Sequence, residues 1–326
     1  MEKAIEAINL TKYYGRILAV DHIGFQVKGG EIFGFLGPNG AGKTTTIRLL
    51  TGQAKPSSGS AIVAGFDMTR EPIKAKRLIG VVPEVSNLYD ELSAWDNLIF
   101  AAQLYGVPRG ARGMRARELL ELIGLYDRRG DRVRNLSKGM RRRLTIAAAL
   151  IHEPDILFLD EPTSGLDVQN ARAIRGLIRE LNGKGMTVFL TTHYIDEADQ
   201  LCDRIAIINM GRIVAEGKPE ELKSRAEGRV ALDISFGPGG APRDGLAALE
   251  HVEEVSKFGD FLRVYVDDLT GFLQSLADLA RRSGLEIASI STVKPSLEDA
   301  FVRITGLSPE IMGVEKEPAR GRGDIG

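Results

Sequence analysis

Apolar and polar positions alternate along Ala4–Gly15 ("AIEAINLTKYYG") and Ala19–Val27 ("AVDHIGFQV"), the two-residue repeat of half-buried strands. "GGEIFGFLGPNG" then reads as a turn, a short apolar strand and a Gly-rich loop. "KTTTIRLLTG" reads as a helix that stops at Gly52. From about Glu84 to Leu150 the pattern turns helical, with breaks at "GVPRG" and "RRGDRVRN". "DILFLD" is a continuous apolar run bounded by charge, as in a strand buried on both faces. Along "VQNARAIRGLIREL", Val168, Ala171, Ile174, Leu177, Ile178 and Leu181 share one helical face, and Gly183 stands where a C-cap belongs. "MTVFLTTH", a helix through Ala198 and "RIAIINMGRIVAEG" follow. Strands alternating with helices predict a layered α/β domain with a largely parallel core sheet.

A different pattern begins after Lys223. "VALDISF" is a strand, "FGPGGAPRDG" a turn, and a short helix, two strands around Gly259, a helix over Leu269–Arg282 and the strand "LEIASISTV" follow. The order β-α-β-β-α-β suits a small α+β unit of ferredoxin-like type. "PSLEDAFVRIT" predicts a last helix, with Ser296 and Asp299 spaced as a capping box. These patterns divide the chain into a domain over 1–223, with a helical subdomain over about 84–150, and a second over 224–306. The segment 307–326, rich in charge, Gly and Pro, is expected to be disordered.

Composition narrows the classes. Lys and Arg number 43 against 44 Asp and Glu, which argues against a general nucleic-acid coat. The single Cys202 excludes an intramolecular disulfide framework and fits a reducing cytosol, as a buried structural thiol. The N-terminus has no apolar h-region, so no signal peptide is expected. No apolar run approaches the roughly 18–20 residues of a membrane span, so work at a membrane would need a partner to supply the membrane part.

"GPNGAGKTT", Gly37–Thr45, matches G-x-x-x-x-G-K-[ST] in full, after an apolar strand and at the start of a helix. Gly37, Gly40 and Gly42 let the backbone of this loop, with Asn39 and Ala41, turn its N–H groups toward phosphate oxygens. The helix dipole adds to that field. Lys43 is placed to reach β- and γ-phosphates, Thr44 to ligate Mg²⁺ and Thr45 to donate to phosphate. A compound with β- and γ-phosphates, together with Mg²⁺, is therefore the expected ligand. "ILFLDE" ends in Asp160 and Glu161, which puts two carboxylates at the carboxyl edge of the sheet, where open α/β sheets bind ligands. Asp160 would hold Mg²⁺ directly or through its water, and Glu161 would polarise the attacking water. His193, at the end of the strand "TVFLTT", could contact the γ-phosphate or position the water. "SGLD", Ser164–Asp167, is a turn in which Asp167 also has the place of an N-cap.

"NLSKGMRRRLTIAAAL", Asn135–Leu150, begins a helix with Lys138, Arg141, Arg142 and Arg143, the sign that a helix start disfavours by roughly 0.3–1 kcal/mol per exposed cation. Taken with Gly37–Thr45, "ILFLDEP", "SGLD" and His193 in that order, "LSKGM" makes residues 4–222 resemble the ATP-binding subunit of an ABC transporter. The resemblance implies a P-loop ATPase core with an inserted helical subdomain. It also implies a head-to-tail dimer with two ATP molecules between the subunits, each held by the phosphate loop of one and the signature stretch of the other. Position by position, Tyr14 looks like the aromatic that stacks on adenine, with Tyr13 the competing choice. Ser137 and Gly139, with Lys138 between them, look like the signature contacts to the γ-phosphate in trans. Asp167 looks like the residue that couples the two sites, and Glu161 like the catalytic carboxylate, with His193 beside it.

Two places depart from the family pattern. Lys138 and Met140 replace Gly and Gln of L-S-G-G-Q, and Glu84, in "VVPE", stands where Gln is commonest. Glu84 still offers an oxygen to Mg²⁺, but as an anion that should raise neighbouring carboxylate pKa values unless metal neutralises it. Arg143 matches a commonly basic place, while Arg141 and Arg142 are read as solvated or paired with acids of the partner chain. An anion at this helix start would reverse the cost of its cations. "LEDAFVRITG", Leu297–Gly306, resembles the ending of drug- and sodium-export ATPases of the ABC-2 type. The implied function is ATP hydrolysis that powers export through a separate membrane-embedded permease, with the subunit at the cytoplasmic face of the membrane and no nucleic acid as partner. The competing class is a soluble ABC ATPase acting on nucleic acid or ribosomes, which normally needs two cassettes in one chain or a long coiled-coil insertion. This chain has one phosphate loop and no long heptad run.

Overall fold

Two strands of alternating pattern, β1 (Ile5–Tyr14) and β2 (Ile17–Val27), pair antiparallel across Gly15 in a computed structural model that describes residues 2–224, 230–237, 243–293 and 296–307. β3 (Ile32–Leu36) carries the phosphate loop into α1 (Lys43–Leu50). β4 (Ser58–Val63), β5 (Phe66–Asp67) and α2 (Pro72–Lys76) lead to β6 (Ile79–Val82). The helical stretch contains α3 (Ala94–Leu104), α4 (Arg109–Leu122) and α5 (Lys138–Leu150), each packed against the other two. Then come β7 (Ile156–Asp160), α6 (Val168–Gly183), β8 (Thr187–Thr192), α7 (Ile195–Leu201), β9 (Arg204–Asn209) and β10 (Arg212–Gly217).

These strands form two sheets. One is antiparallel, in the order β2-β1-β4-β5; the other runs β10-β9-β3-β8-β7-β6 and is parallel except for β10. β3, β7 and β8 are buried at every position, which is why their sequences read as continuous apolar runs. α1 touches strands of both sheets, and an aromatic cluster welds the sheets together. Phe25 of β2 stacks on Phe33 at 5.5 Å, and Phe33 on Phe189 of β8 at 5.9 Å. Such ring pairs contribute about 0.5–1.5 kcal/mol each beyond the area they bury. Because β6, β7, β8 and β3 all run the same way, the residues after each of them gather at one edge of the sheet.

Local details differ from the expected helix end and face. α6 runs through Gly183, is capped at Lys184 and turns at Gly185 (φ +95°). Its buried face is Ile174, Leu177, Ile178 and Leu181, while Val168 in its first turn is exposed.

The chain divides into a unit through Pro219 and a unit over Glu220–Leu307, with the division falling inside α8 (Pro219–Ser224). The second unit contains β11 (Val230–Phe236), α9 (Arg243–Ala247), β12 (Val252–Phe258), β13 (Phe261–Val266), α10 (Leu269–Ser283), β14 (Ile287–Val293) and α11 (Leu297–Thr305). Its sheet is antiparallel in the order β12-β13-β11-β14, the split arrangement that β-α-β-β-α-β order suggests. Leu232, Ile234, Val264, Val266, Phe272 and Leu276 form the centre of its core. Arg263 makes a two-pronged bond to Asp233 at 2.7 and 2.9 Å. The capping box predicted for Ser296 and Asp299 is formed at the start of α11. The tail expected to be disordered, 307–326, lies outside the described residues except for Leu307.

Candidate active site at the carboxyl edge of the parallel sheet

The phosphate loop is shaped by close backbone approaches. A Cβ at Gly37 would fall 2.3 Å from the carbonyl oxygen of Ile208, and one at Gly42 2.5 Å from that of Ala19, with Gly42 itself at φ +109°. Only glycine fits both places. No side chain caps α1, so its first N–H groups are available to an anion. Lys43, buried at 6% exposure, folds its ammonium back over the loop and donates to the carbonyls of Gly37 at 2.6 Å and Pro38 at 3.2 Å.

Asp160 ends β7. Its Oδ1 accepts from Thr191 Oγ1 at 2.6 Å and from Thr44 Oγ1 at 3.3 Å. Burial pushes the Asp160 pKa up, against the pull of those two hydroxyls. Glu161, next along, leaves the strand with φ +48°, a left-handed conformation uncommon for a residue with a side chain. Its Oε2 accepts from His193 Nδ1 at 2.8 Å and from the His193 backbone N–H at 3.3 Å. Its Oε1 lies 3.1 Å from Lys43 Nζ but makes no well-directed hydrogen bond. Burial is the largest single influence on the Glu161 pKa and pushes it up. The His193 hydrogen bond and the Lys43 charge together outweigh it, and the net direction is down. The His193 ring rests against Tyr194, with centroids 4.0 Å apart.

Lys43, Thr44, Asp160, Glu161 and His193, from the ends of β7 and β8 and the start of α1, thus come together as one set. The chemistry of the set suits a hard divalent cation: a hydroxyl and a carboxylate oxygen stand side by side at Thr44 and Asp160, and Glu161 Oε1 is a buried acceptor with an unspent lone pair. Among the described residues no group of three or more His, Cys, Asp or Glu side chains makes a self-sufficient cation cage. Thr44 and Asp160 would therefore hold Mg²⁺ jointly with the phosphates of a nucleotide.

A second set forms around the start of α5. Ser137 caps that helix, its Oγ accepting from the Met140 N–H at 3.3 Å. Gly139 is buried against Asn170 of α6: a Cβ there would fall 2.1 Å from Asn170 Oδ1. Asn170 is held in turn by Asp167, whose carboxylate accepts from the Asn170 backbone N–H at 2.8 Å and from Nδ2 at 2.7 Å. Those bonds, the backbone one first, hold the Asp167 carboxyl below its usual range. The Lys138 ammonium packs over Gly165, in the "SGLD" turn. Tyr14 ends β1 and is 42% exposed, with Lys12 Nζ 5.0 Å from its ring centroid. Glu84 is an exposed residue whose carbonyl, rather than its carboxylate, is engaged.

That engagement corrects the reading of Arg142 as solvated or partner-paired. Arg142 is buried, and its guanidinium donates to the carbonyls of Pro83, Glu84, Asp160, Glu161 and Pro162. The signal that finds it is helical spacing: it stands three places from Gly139 and four from Ile146, both buried. Arg141 instead donates to the carbonyls of Arg134 and Leu136 and pairs with Asp90. Asn170 and Glu197 were also missed. Glu197 is buried on α7, accepts from Thr163 Oγ1 at 2.8 Å, and burial raises its pKa.

Comparison with known proteins places this geometry in context. The family profile described as "ABC transporter" matches residues 20–164, and one described as "ATP-binding protein DrrA1-3-like, C-terminal domain" matches residues 217–305. The linearmycin resistance ATP-binding protein of Bacillus subtilis (strain 168) is 38% identical over 305 residues, covering 93% of this chain and 98% of that one. The daunorubicin/doxorubicin resistance ATP-binding protein of Streptomyces peucetius is 40% identical over 307 residues, 93% of each. The Nod factor export ATP-binding protein I of Paraburkholderia xenovorans (strain LB400) is 40% identical over 307 residues, covering 94% of this chain and 98% of that one. Among solved structures, an ATP-binding subunit of an ABC transporter superposes with TM-score 0.62 at 30% identity, over 68% of this chain and 92% of that one. A dimeric post-hydrolysis ATP-binding cassette with ADP and Pi superposes with TM-score 0.60 at 29% identity, over 66% of this chain and 98% of that one.

Proposed function

The chain belongs to the ATP-binding subunits of ABC transporters of the ABC-2 export type, and from that premise we propose how its own residues carry out the work. It binds and hydrolyses ATP and powers export through a separate membrane permease. Among the described residues no helix is long and apolar enough to cross a membrane.

The single observation that carries the site assignment is the Glu161 carboxylate held between Lys43 and His193. Gly37–Thr45 take the phosphates, with Asn39, Gly40, Ala41, Gly42 and Thr45 supplying backbone and hydroxyl donors. Thr44 and Asp160, with Glu84 from the neighbouring strand end, would hold Mg²⁺, which would supply neutralisation of phosphate charge. Lys43 Nζ exchanges its loop carbonyls and Glu161 for phosphate oxygens. With Lys43 drawn to phosphate oxygens, one of the influences that lower the Glu161 pKa weakens while the His193 hydrogen bond stays, and the carboxylate is a stronger base when a water must be activated. It takes a proton from that water as the water oxygen attacks the γ-phosphorus, and the bond from that phosphorus to the oxygen bridging to the β-phosphate breaks, leaving ADP and phosphate. His193 fixes the carboxylate through Nδ1.

Ser137, Lys138 and Gly139 of a second copy complete the site in a head-to-tail dimer, Asp167 couples the two sites, and Tyr14 stacks on adenine. The helical subdomain, near Glu84 to Trp95, passes the motion to the permease at the cytoplasmic face of the membrane. Glu161→Gln should nearly stop turnover and trap ATP-bound dimers, read by phosphate release and by sedimentation. Hydrolysis at the normal rate would remove Glu161 from the role of general base.

A further inference from the structure

We propose that Arg142 is a positioning residue for hydrolysis: it sets the backbone from which the site's carboxylates are aimed and ties the signature helix to that backbone. The inference rests on the reading of Glu161 as the base. A guanidinium has five N–H donors and no acceptor. Here all five are matched: Nε donates to Pro162 O at 2.9 Å, Nη2 to Asp160 O at 2.6 Å and Glu161 O at 2.9 Å, and Nη1 to Glu84 O at 3.2 Å and to Pro83 O. The acceptors come from two segments that follow neighbouring parallel strands, β6 and β7, and the donor comes from the first turn and a half of α5.

The directions of these carbonyls matter more than their number. In an extended strand successive carbonyls point to opposite sides. Those of Asp160, Glu161 and Pro162 converge on one guanidinium, so the chain must curl away from the strand at this point. The left-handed φ of +48° at Glu161 is that curl. Left-handed backbone at a residue with a side chain persists only where its surroundings over-determine it, and Arg142 does so on the carbonyl side while Thr191 accepts from the Glu161 N–H at 3.1 Å. The same guanidinium fixes Pro83 and Glu84. It therefore sets the origin of the side chains of Asp160, Glu161 and Glu84 while touching none of the reacting atoms. Arg142 lies three residues from Gly139, so a shift of the signature turn is carried to the same subunit's own carboxylates through one rigid fork.

Lysine offers three donors from a single nitrogen and cannot span five carbonyls. The test compares Arg142→Lys and Arg142→Gln with the parent, well below their melting temperatures. Turnover per folded site is measured, with ATP affinity by calorimetry and dimer formation on the Glu161→Gln background. A displacement of the base by about an ångström costs on the order of 10²-fold in rate. Each variant should lose turnover on that scale while ATP affinity stays within a few-fold, because the phosphate loop is untouched. A purely structural role would lower the melting temperature and leave folded molecules turning over normally. That result overturns the proposal, as does a common loss of ATP affinity and turnover. Arg142→Gln, which leaves no unpaired buried cation, guards against a Lys variant that does not fold. If neither folds, Arg142 serves the fold alone and the proposal falls. Glu161→Gln tests the underlying reading separately, since normal hydrolysis there removes the base whatever Arg142 does.

Discussion

Replacing Gly139 by Ala separates two reasons for a glycine in the signature turn. If glycine is needed only so that phosphate can approach, nucleotide-free protein should not suffer. Alanine should even help, since glycine in a helix costs up to about 1 kcal/mol relative to it, the most that this first-turn position could gain. The structure predicts otherwise. The new methyl would lie 2.1 Å from Asn170 Oδ1, 2.3 Å from its Cγ and 2.9 Å from its Cβ. Asn170 cannot swing away without giving up the 2.7 Å bond from its Nδ2 to Asp167. Overpacking of this kind costs about 1–3 kcal/mol. Setting the propensity gain of about 1 kcal/mol against it leaves a net loss of up to about 2 kcal/mol. At about 2–4 °C per kcal/mol for a unit of this size, melting should fall by up to about 8 °C. The decisive assay is a double-mutant cycle in dilute, nucleotide-free protein. On an Asn170→Gly background, where all three clashing atoms are gone, Gly139→Ala should become neutral or stabilising, with a coupling of about 1–3 kcal/mol. An equal loss on both backgrounds would refute the contact argument, and a gain on the parent background would return the glycine to phosphate alone.

Three further outcomes follow from the same geometry. Asp160→Asn should stabilise nucleotide-free protein at neutral pH while abolishing hydrolysis. The Asp160 pKa is raised by burial, so the ionised carboxylate costs stability above that pKa and the cost vanishes as pH falls. Melting curves against pH should show a gain that shrinks on acidification, and a gain that grows instead contradicts the sign. Cys202 is buried with its pKa pushed well up, first by burial and then by the charges of Glu197 and Asp203. A thiol reagent should label native protein slowly and denatured protein fully, and prompt native labelling would show the site to be open. Lys138→Gly should change the salt dependence of ATP-driven dimerisation, followed by light scattering; an unchanged slope leaves Lys138 a surface cation.

The phosphate loop was legible because every group that shapes it lies within one short window bounded by a strand and a helix. The capping box at Ser296 and Asp299 was legible for the same reason. The split order of the second unit's sheet followed from element order, although the pairing of β11 with β14 needed the register. What stayed hidden depends on segments far apart in the chain. Three consecutive arginines look alike in sequence, yet Arg142 reaches carbonyls on two loops while Arg141 turns back to its own connection. Nothing near Gly139 announces Asn170, which arrives from another helix. The positive φ at Glu161 has no local cause such as glycine and is imposed by its neighbours.

The place of β3 in the sheet has a consequence for how the protein is made. The phosphate loop leaves the ribosome early, yet β3 finds its partners on both sides only in β8 and β9, where Ile32 pairs with Val188 and Leu36 with Ile207. A nascent chain halted before Thr187 carries the whole phosphate motif and has neither neighbour to hold it. ATP, which stabilises only molecules able to bind it, cannot guide folding until synthesis has passed Asn209. Until then β3, an uncharged run of five residues that is buried in the finished protein, lacks both of its sheet neighbours, and the ligand offers it no protection.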